Sequence, residues 1–399
     1  MSDPLAAGAP RAGAVPKPPN APGASGAPEP AAVREPAAHD GRRGDSDVVL
    51  DLQALGKSYG ETVALERVEL RVRQGELLTL LGPSGSGKTT LLKVIAGFEA
   101  PSSGRVLLRG RDISRLSPAK RGVGMVFQHY ALFPHMTVAQ NIGYGLKLRR
   151  APRAVREQRV QEMLELLRLE GLQERYPRQL SGGQQQRVAL GRALAYDPEV
   201  ILMDEPLGAL DRALRIEMEE QIRSLHRDLG ATIVYVTHDQ QEALALSDRI
   251  AIMRNGKVAS VGAPEQLYRR PADSFVAGFF ANANLLPVQE HEILAGGIAR
   301  VRCGGGELRC PTTAAAGDPV VLAVRRRSLR RAPSPGATRI AGVVVEMLLF
   351  GDEQEIALHS PELGRVVAVI DSRDCQGVAL GMELELFVPV EEATLVRLV

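Results

Sequence analysis

The chain has no tryptophan, and aromatic residues make up only 4% of its 399 positions. That scarcity removes the stacking platforms on which single-stranded nucleic acids are held. An excess of one charge is missing too. The 49 basic residues stand against 47 acidic ones, a net +2 that argues for neither a polyanionic partner nor an anionic membrane surface. No run of residues approaches the roughly 18 apolar positions that a membrane-spanning helix needs. The first residues lack the apolar core of a signal peptide, and Arg42-Arg43 leads into Gly44-Asp45-Ser46-Asp47 rather than a hydrophobic stretch. If the protein works at a membrane, another chain is expected to hold it there. Cysteine is sparse as well, with Cys303, Cys310 and Cys375 all in the last third. An odd, sparse set argues against a disulfide scaffold and fits a reducing compartment. Cys303 and Cys310 flank a glycine run and could face each other across a hairpin. Incidental burial is the expectation for them, because no histidine or paired CxxC accompanies them to make a metal site.

What the sequence does contain is organised around Gly82-Pro83-Ser84-Gly85-Ser86-Gly87-Lys88-Thr89, between the apolar run Leu77–Leu81 and a helical pattern opening at Thr90. Strand, glycine-rich turn and helix in that order fit the phosphate-loop spacing G-x-x-x-x-G-K-[ST]. Glycines let backbone N–H groups ring an anion, and the helix start adds its positive dipole end. Lys88 supplies a mobile charge for the β- and γ-phosphates, and the Thr89 hydroxyl is placed to ligate Mg²⁺. The pattern implies that a nucleoside triphosphate binds here.

Around this loop the chain divides by composition. Residues 1–46 are rich in Pro, Ala and Gly, too poor in apolar surface to fold, and are expected to form a disordered extension. Val48–Leu52 and Val68–Val72 alternate as half-exposed antiparallel strands. Residues from about 138 to 195 are helical in pattern, with Val155, Val160, Met163, Leu164, Leu166 and Leu167 marking an amphipathic helix. Val200–Met203 and Thr232–Val236 are continuous apolar runs, which suit strands of a parallel sheet buried on both faces. Asn255-Gly256 marks a hairpin turn. Beyond residue 282 the helical signal fades into strand-like runs such as Val320–Val324 and Glu383–Val388, so a small all-β domain is expected over 283–399.

Four further features accompany the phosphate loop. Leu180-Ser181-Gly182-Gly183-Gln184 opens a helix, with Ser181 placed as its N-cap. Val200–Met203 ends in Asp204-Glu205, where one carboxylate can hold Mg²⁺ and the next can polarise a water. Gln128 follows one strand, and Thr237-His238 ends another, at the edge where parallel sheets bind ligands. In this combination the chain resembles an ATP-binding-cassette (ABC) ATPase over about residues 48–280, with Leu180–Gln184 the most discriminating motif.

The resemblance implies an α/β P-loop NTPase over 47–282, with a parallel core sheet, an antiparallel β subdomain and a helical subdomain at about 138–195. Tyr59 would stack on adenine. Gly82, Pro83, Ser84, Gly85, Ser86, Gly87, Lys88, Thr89 and Thr90 would bind the phosphates of ATP, with Thr89, Gln128 and Asp204 at Mg²⁺. Glu205 would be the general base and His238 would contact the γ-phosphate. Ser181, Gly182, Gly183 and Gln184 would cover the ATP of a second cassette, which implies a homodimer or a pair with a paralogous chain. The D-loop reads Gly208-Ala209-Leu210-Asp211, with Gly208 where serine is common.

The apolar segment His129–Val138 resembles the groove that receives a helix from a membrane subunit in importers. The tail resembles the OB-like, transport-associated domain of importer ATPases, and the linker Phe275–Pro287 is most like the polyamine type. It departs from that pattern at Val324-Arg325-Arg326-Arg327-Ser328-Leu329. The five arginines between 325 and 331 are expected to form a solvated charged edge rather than a nucleic-acid site. The implied protein is the ATP-hydrolysing subunit of an importer, peripheral on the cytoplasmic face of the inner membrane. It would be docked on two permease subunits and served by an external solute-binding protein. Its cargo would be a polyamine, with sugar, ferric iron or another small organic solute as alternatives; a soluble ABC ATPase and a mainly regulatory, partner-binding protein are the readings of other classes.

Overall fold

The computed structural model describes residues 47–399 apart from Ala209 and Gly305, so the extension expected over 1–46 lies outside the described residues. The alternating pattern after residue 47 forms two long strands, β1 (Val48–Tyr59) and β2 (Thr62–Arg73), paired antiparallel. β3 (Leu77–Leu81) is buried at every position and runs into the glycine loop, after which α1 (Lys88–Ala96) begins. β4 (Ser103–Leu108) pairs back onto β1 and carries the short β5 (Arg111–Asp112), completing the sheet β2-β1-β4-β5.

After β6 (Val123–Val126) come α2 (Val138–Leu148), α3 (Arg153–Leu166) and α4 (Gly182–Leu194). The apolar stripe of α3 is narrower than its pattern suggests. Met163, Leu164 and the C-cap Leu167 are buried, whereas Val155 and Leu166 are exposed, because only the C-terminal turns of the helix reach the core. β7 (Val200–Asp204), α5 (Arg212–Leu229), β8 (Ile233–Thr237) and α6 (Gln240–Leu246) follow, then the hairpin of β9 (Arg249–Arg254) and β10 (Lys257–Gly262).

The central sheet has the order β10-β9-β3-β8-β7-β6, parallel except for β10. Its strands alternate between two cores, as the two-residue period requires. Ile201, Met203, Ile233 and Tyr235 face the helices α2, α4 and α5, while Val200, Leu202, Val234 and Val236 face α1 and the antiparallel sheet. Because β3, β6, β7 and β8 are parallel, their C-terminal ends lie along one edge, and the loops carrying Gly82–Thr89, Gln128, Glu205 and His238 emerge together there.

Two short helices, α7 (Pro264–Arg269) and α8 (Ser274–Phe279), precede a region built of strands and 3-10 turns. Its strands are β11 (Ala283–Leu286), β12 (Glu290–Leu294), β13 (Ile298–Cys303), β14 (Gly306–Pro311), β15 (Val320–Arg325), β16 (Thr338–Phe350), β17 (Glu353–Ser360), β18 (Gly364–Asp371), β19 (Glu383–Val388) and β20 (Ala393–Arg397). They form three sheets, β11-β15-β20, β12-β13-β14 and β18-β17-β16-β19, around one core that includes Val324, Ile340, Ile356, Leu386 and Leu395. This is the all-β C-terminal region that the strand pattern implies, and it is consistent with the OB-like domain that the tail resembles.

Two expectations about this region need correction. Cys303 and Cys310 do not face each other, because Cys303 pairs with Gly306 and Cys310 with Ala299. Only two residues separate β13 from β14, and that short connection fixes a register in which the two cysteines are offset by several positions. Both are free and buried, and burial pushes each thiol up to about 11. Nor is the arginine run simply a solvated edge. Arg325 is half-buried against Glu392, Arg326 pairs with Glu355 at 3.1 Å, and Arg327 pairs with Glu353. The acids on β17 and in the turn before β20 thus neutralise its first three members, while Arg330 and Arg331 donate to backbone carbonyls.

Candidate nucleotide site

The glycine loop is braced from outside by two other segments. Gly256, in the β9–β10 turn, donates its N–H to the Ser86 carbonyl at 3.0 Å and accepts from the Glu66 N–H at 2.9 Å. Gly87 and Gly256 both have positive φ, 100° and 75°. A Cβ on either would stand 2.7 Å from the Ala64 carbonyl oxygen, so neither position admits a side chain. The loop, the β9–β10 turn and β2 therefore meet at one joint. Inside the loop, the Ser86 hydroxyl is buried and has no hydrogen-bond partner among the described residues. Pro83, Ser84 and Gly85 are exposed, and Thr90 is half-buried in the first turn of α1.

Lys88 folds back across the loop. Its Nζ donates to the carbonyls of Gly82 at 2.8 Å and Pro83 at 3.1 Å. Burial lowers its pKa, opposed by the nearby charges of Glu205 and Asp204. The Thr89 hydroxyl donates to Asp204 Oδ1 at 3.4 Å, and burial, aided by the Glu205 charge, raises the Asp204 carboxyl. A desolvated ammonium thus lies beside two carboxylates that crowd one another, an arrangement suited to admitting a cation and a polyanion together.

Glu205 follows β7 in the left-handed region, with φ 43°, and its N–H donates to the Val236 carbonyl at 3.0 Å. Its two carboxylate oxygens are held apart. Gln128 Nε2 donates to Oε2 at 3.4 Å, and His238 Nδ1 lies 3.3 Å from Oε1. The structure brings Lys88, Thr89, Gln128, Asp204, Glu205 and His238 together. Tyr59 stands exposed at the end of β1 with Lys57 Nζ 4.8 Å from its ring centre. Ser181 caps α4 with Gln184 in a reciprocal pair of hydrogen bonds, at 3.3 and 3.0 Å. Among the described residues, no hydrogen bond or ion pair joins Tyr59 or Ser181–Gln184 to the glycine loop.

The hydroxyl of Thr89, the carboxylate of Asp204 and the side-chain oxygen of Gln128 form a hard oxygen donor set of the kind Mg²⁺ takes. No group of three or more His, Cys, Asp or Glu among the described residues could hold a metal unaided. A cation here would share its shell with phosphate and water, as Mg²⁺ does in triphosphate sites.

A groove of about 590 Å³ opens between α2 and α3, lined by Met136, Ala139, Tyr144, Lys147, Arg156 and Val160 among others. Not all of the apolar segment faces it. Tyr130 is buried, and Phe133 packs on Tyr144 at 4.4 Å between ring centres. Buried Asn141 shapes the wall: it accepts from the Phe133 N–H at 2.9 Å and donates to the carbonyls of Phe133, Met136 and Thr137.

The sequence reading missed the support behind His238. Glu242 is 4% exposed, and its Oε2 accepts from the Tyr235 and Thr237 hydroxyls, each at 2.8 Å. Asp239 caps α6, accepting from the N–H groups of Gln241 and Glu242. The spacing of a capping aspartate and a glutamate three residues on was the signal available in the sequence.

Residues 65–208 match the family model described as ABC transporter. A spermidine/putrescine import ATP-binding protein of Thermobifida fusca is 46% identical over 311 residues, covering 76% of this chain and 81% of that one. The chain belongs to the ABC importer ATP-binding proteins. A sulfate/thiosulfate import ATP-binding protein of Bradyrhizobium diazoefficiens is 43% identical over 344 residues, 84% of this chain and 97% of that one. Among solved structures, cbiO1 from Clostridium perfringens, part of the ABC transporter complex cbiONQ, superposes with TM-score 0.52 at 30% identity, covering 56% of this chain and 91% of that chain. As a member of this family the chain is an ATPase with the ABC cassette fold, as its motifs imply.

Proposed function

We propose that this ABC ATPase powers uptake of a polyamine of the spermidine or putrescine kind. The observation that carries the hydrolytic reading is the suspension of Glu205 between Gln128 and His238, next to Asp204 and Thr89. In this reading Gly82–Thr90 hold the phosphates and Tyr59 stacks on adenine. Lys88 releases the Gly82 and Pro83 carbonyls to bind the β- and γ-phosphates. Thr89, Asp204 and Gln128 would hold Mg²⁺, which would neutralise phosphate charge there. Glu205 takes the proton of a water whose oxygen attacks the γ-phosphorus, while the bond to the β,γ-bridging oxygen breaks and ADP leaves with the electron pair. His238 contacts the γ-phosphate.

Residues 47–282 form the ATPase domain and 283–399 the transport-associated β domain. Ser181–Gln184 of a second copy, or of a paralogous cassette, close over each ATP. The groove beside Met136 and Tyr144 receives a helix from one of two permease subunits, which hold the ATPase on the cytoplasmic face of the inner membrane. No helix among the described residues is long and apolar enough to cross a bilayer, in keeping with peripheral attachment. An external solute-binding protein delivers the cargo.

The polyamine assignment is supported by the Thermobifida relative and by the linker Phe275–Pro287. The Bradyrhizobium relative, matched over nearly its whole length, favours sulfate or thiosulfate as a second reading. Labelled spermidine, putrescine, sulfate, a disaccharide and ferric iron should be offered to cells carrying the gene, its deletion, or Glu205→Gln. Loss of polyamine uptake in both defective strains is expected. Loss of sulfate uptake with polyamine uptake intact would replace the first reading by the second.

A further inference from the structure

We propose that Glu242 and Arg215 are positioning residues that set His238 from behind and tie it to the segment following Glu205. The proposal rests on His238 acting at the γ-phosphate, as assigned above. His238 itself has little to fix it. Its side chain is 66% exposed, and among the described residues the one close polar neighbour is Glu205. The residues on either side of it are fastened instead. The Thr237 hydroxyl donates to Glu242 Oε2 at 2.8 Å and accepts from the Asp239 N–H at 2.9 Å. The Tyr235 hydroxyl donates to the same Glu242 oxygen at 2.8 Å. Glu242 is therefore a buried anchor that holds both flanks of His238, and burial together with its charge raises the Tyr235 hydroxyl well above its ordinary value, keeping that donor protonated.

The remaining Glu242 oxygen faces Arg215 on α5. Arg215 Nε lies 4.0 Å from Oε1, is itself buried, and has no hydrogen-bond partner among the described residues. Another guanidinium nitrogen lies 3.6 Å from Asp239, and the third is 3.5 Å from the Leu210 carbonyl that it can bond. Leu210 belongs to the D-loop, the stretch that leads from Glu205 into α5. One cation thus reaches the anchor, the cap and the D-loop carbonyl at once, each at the long end of contact. Closing them to an ordinary hydrogen-bond distance of at most ~3.2 Å takes a shift of roughly 0.3 Å at Leu210 and about 0.8 Å at Glu242. Movement of the D-loop is then felt at the backbone carrying His238, with no new contact needed.

The test uses the full chain and measures kcat and KM for MgATP, ADP affinity, and melting temperature. Variants are H238A, E242Q, R215A, R215K and the doubles E242Q/R215A and E242Q/H238A. E242Q and R215A are each expected to lower kcat about 10- to 100-fold, the cost of a small misplacement. ADP affinity should stay unchanged, because ADP lacks the γ-phosphate. The doubles should be no slower than the slower single, since all act through one side chain, and R215K should recover part of the rate. Should E242Q fold poorly, R215A, at a half-exposed position, carries the same expectation. Wild-type kcat in E242Q and R215A, or losses that multiply in the doubles, would overturn the proposal. Full turnover in H238A would overturn the γ-phosphate reading instead, so the two failures are distinguishable.

Discussion

A residue before proline is pressed towards extended backbone, yet Glu205 precedes Pro206 with φ 43°. Backbone held in so sparsely populated a region costs of order 1–3 kcal/mol and persists only where the surroundings enforce it. Here the bond to Val236 and the parallel edge enforce it, and the carboxylate is aimed between Gln128 and His238. Glu205→Gln keeps that shape and removes the base, so turnover should fall by ~10²–10⁴ while ATP binding persists, read by single-turnover hydrolysis beside a nucleotide-binding titration. Gly256→Ala acts from outside the loop. Its Cβ would meet the Ala64 carbonyl at 2.7 Å with φ at 75°, so we expect weaker ADP binding and a destabilisation exceeding about 1 kcal/mol in urea unfolding.

His226 offers a pH test at the same scale. One ring nitrogen meets the Ala231 carbonyl at 3.0 Å and the other meets Asp248 at 2.9 Å, so both should carry protons. The hydrogen bond to Asp248 accordingly raises its pKa above the ordinary 6.5. A raised folded pKa contributes stability that is fully present below the unfolded value and is lost as pH climbs through the folded one. The melting-temperature gap between wild type and His226→Gln should therefore shrink as pH rises from about 6 through the neutral range.

At the scale of elements, Arg192 on α4 holds the loop that follows Gln128. It donates to the carbonyls of Ala131 at 2.6 Å and Tyr130 at 2.8 Å, two consecutive residues in the left-handed region. Burial lowers the pKa of this guanidinium, because its charge is partly stripped of water. Arg192→Ala leaves both carbonyls without it and should destabilise the fold by about 2 kcal/mol in urea unfolding. Such ties explain what could and could not be read from the chain. The glycine loop, Asp204-Glu205 and the Ser181 cap were legible because each motif lies within a few residues of sequence and ends an element of obvious pattern. Arg192, Arg215 and the Gly256 joint were not, because the partners that matter lie 62, 24 and 170 residues away and only the sheet order brings them near. The cysteines failed for a related reason: composition locates a hairpin, but the length of its connection decides which residues oppose.

On the scale of the whole molecule, the tail is stitched back onto the last cassette helices. The Val399 N–H donates to the Ser274 hydroxyl at 3.0 Å, Thr313 donates to the Pro271 carbonyl at 2.9 Å, and Ala277 shares an apolar cluster with Val321, Ala323 and Val396. The two regions therefore share a boundary of real contacts. The signature residues are placed differently, capped within α4 and joined by no described hydrogen bond to the chain's own glycine loop. On the proposed pairing, ATP turnover per molecule should rise with protein concentration until dimers saturate, and activity measured across a dilution series checks this.

On the proposed pairing, that placement of Ser181–Gln184 has a genetic meaning. A chain with a ruined signature but an intact glycine loop still offers its partner an unclosed lid, and a chain with the opposite defect still offers a good one. Two such alleles in one cell would restore one working ATP pocket per mixed pair, whereas either allele expressed beside the normal gene would spoil normal chains by pairing with them.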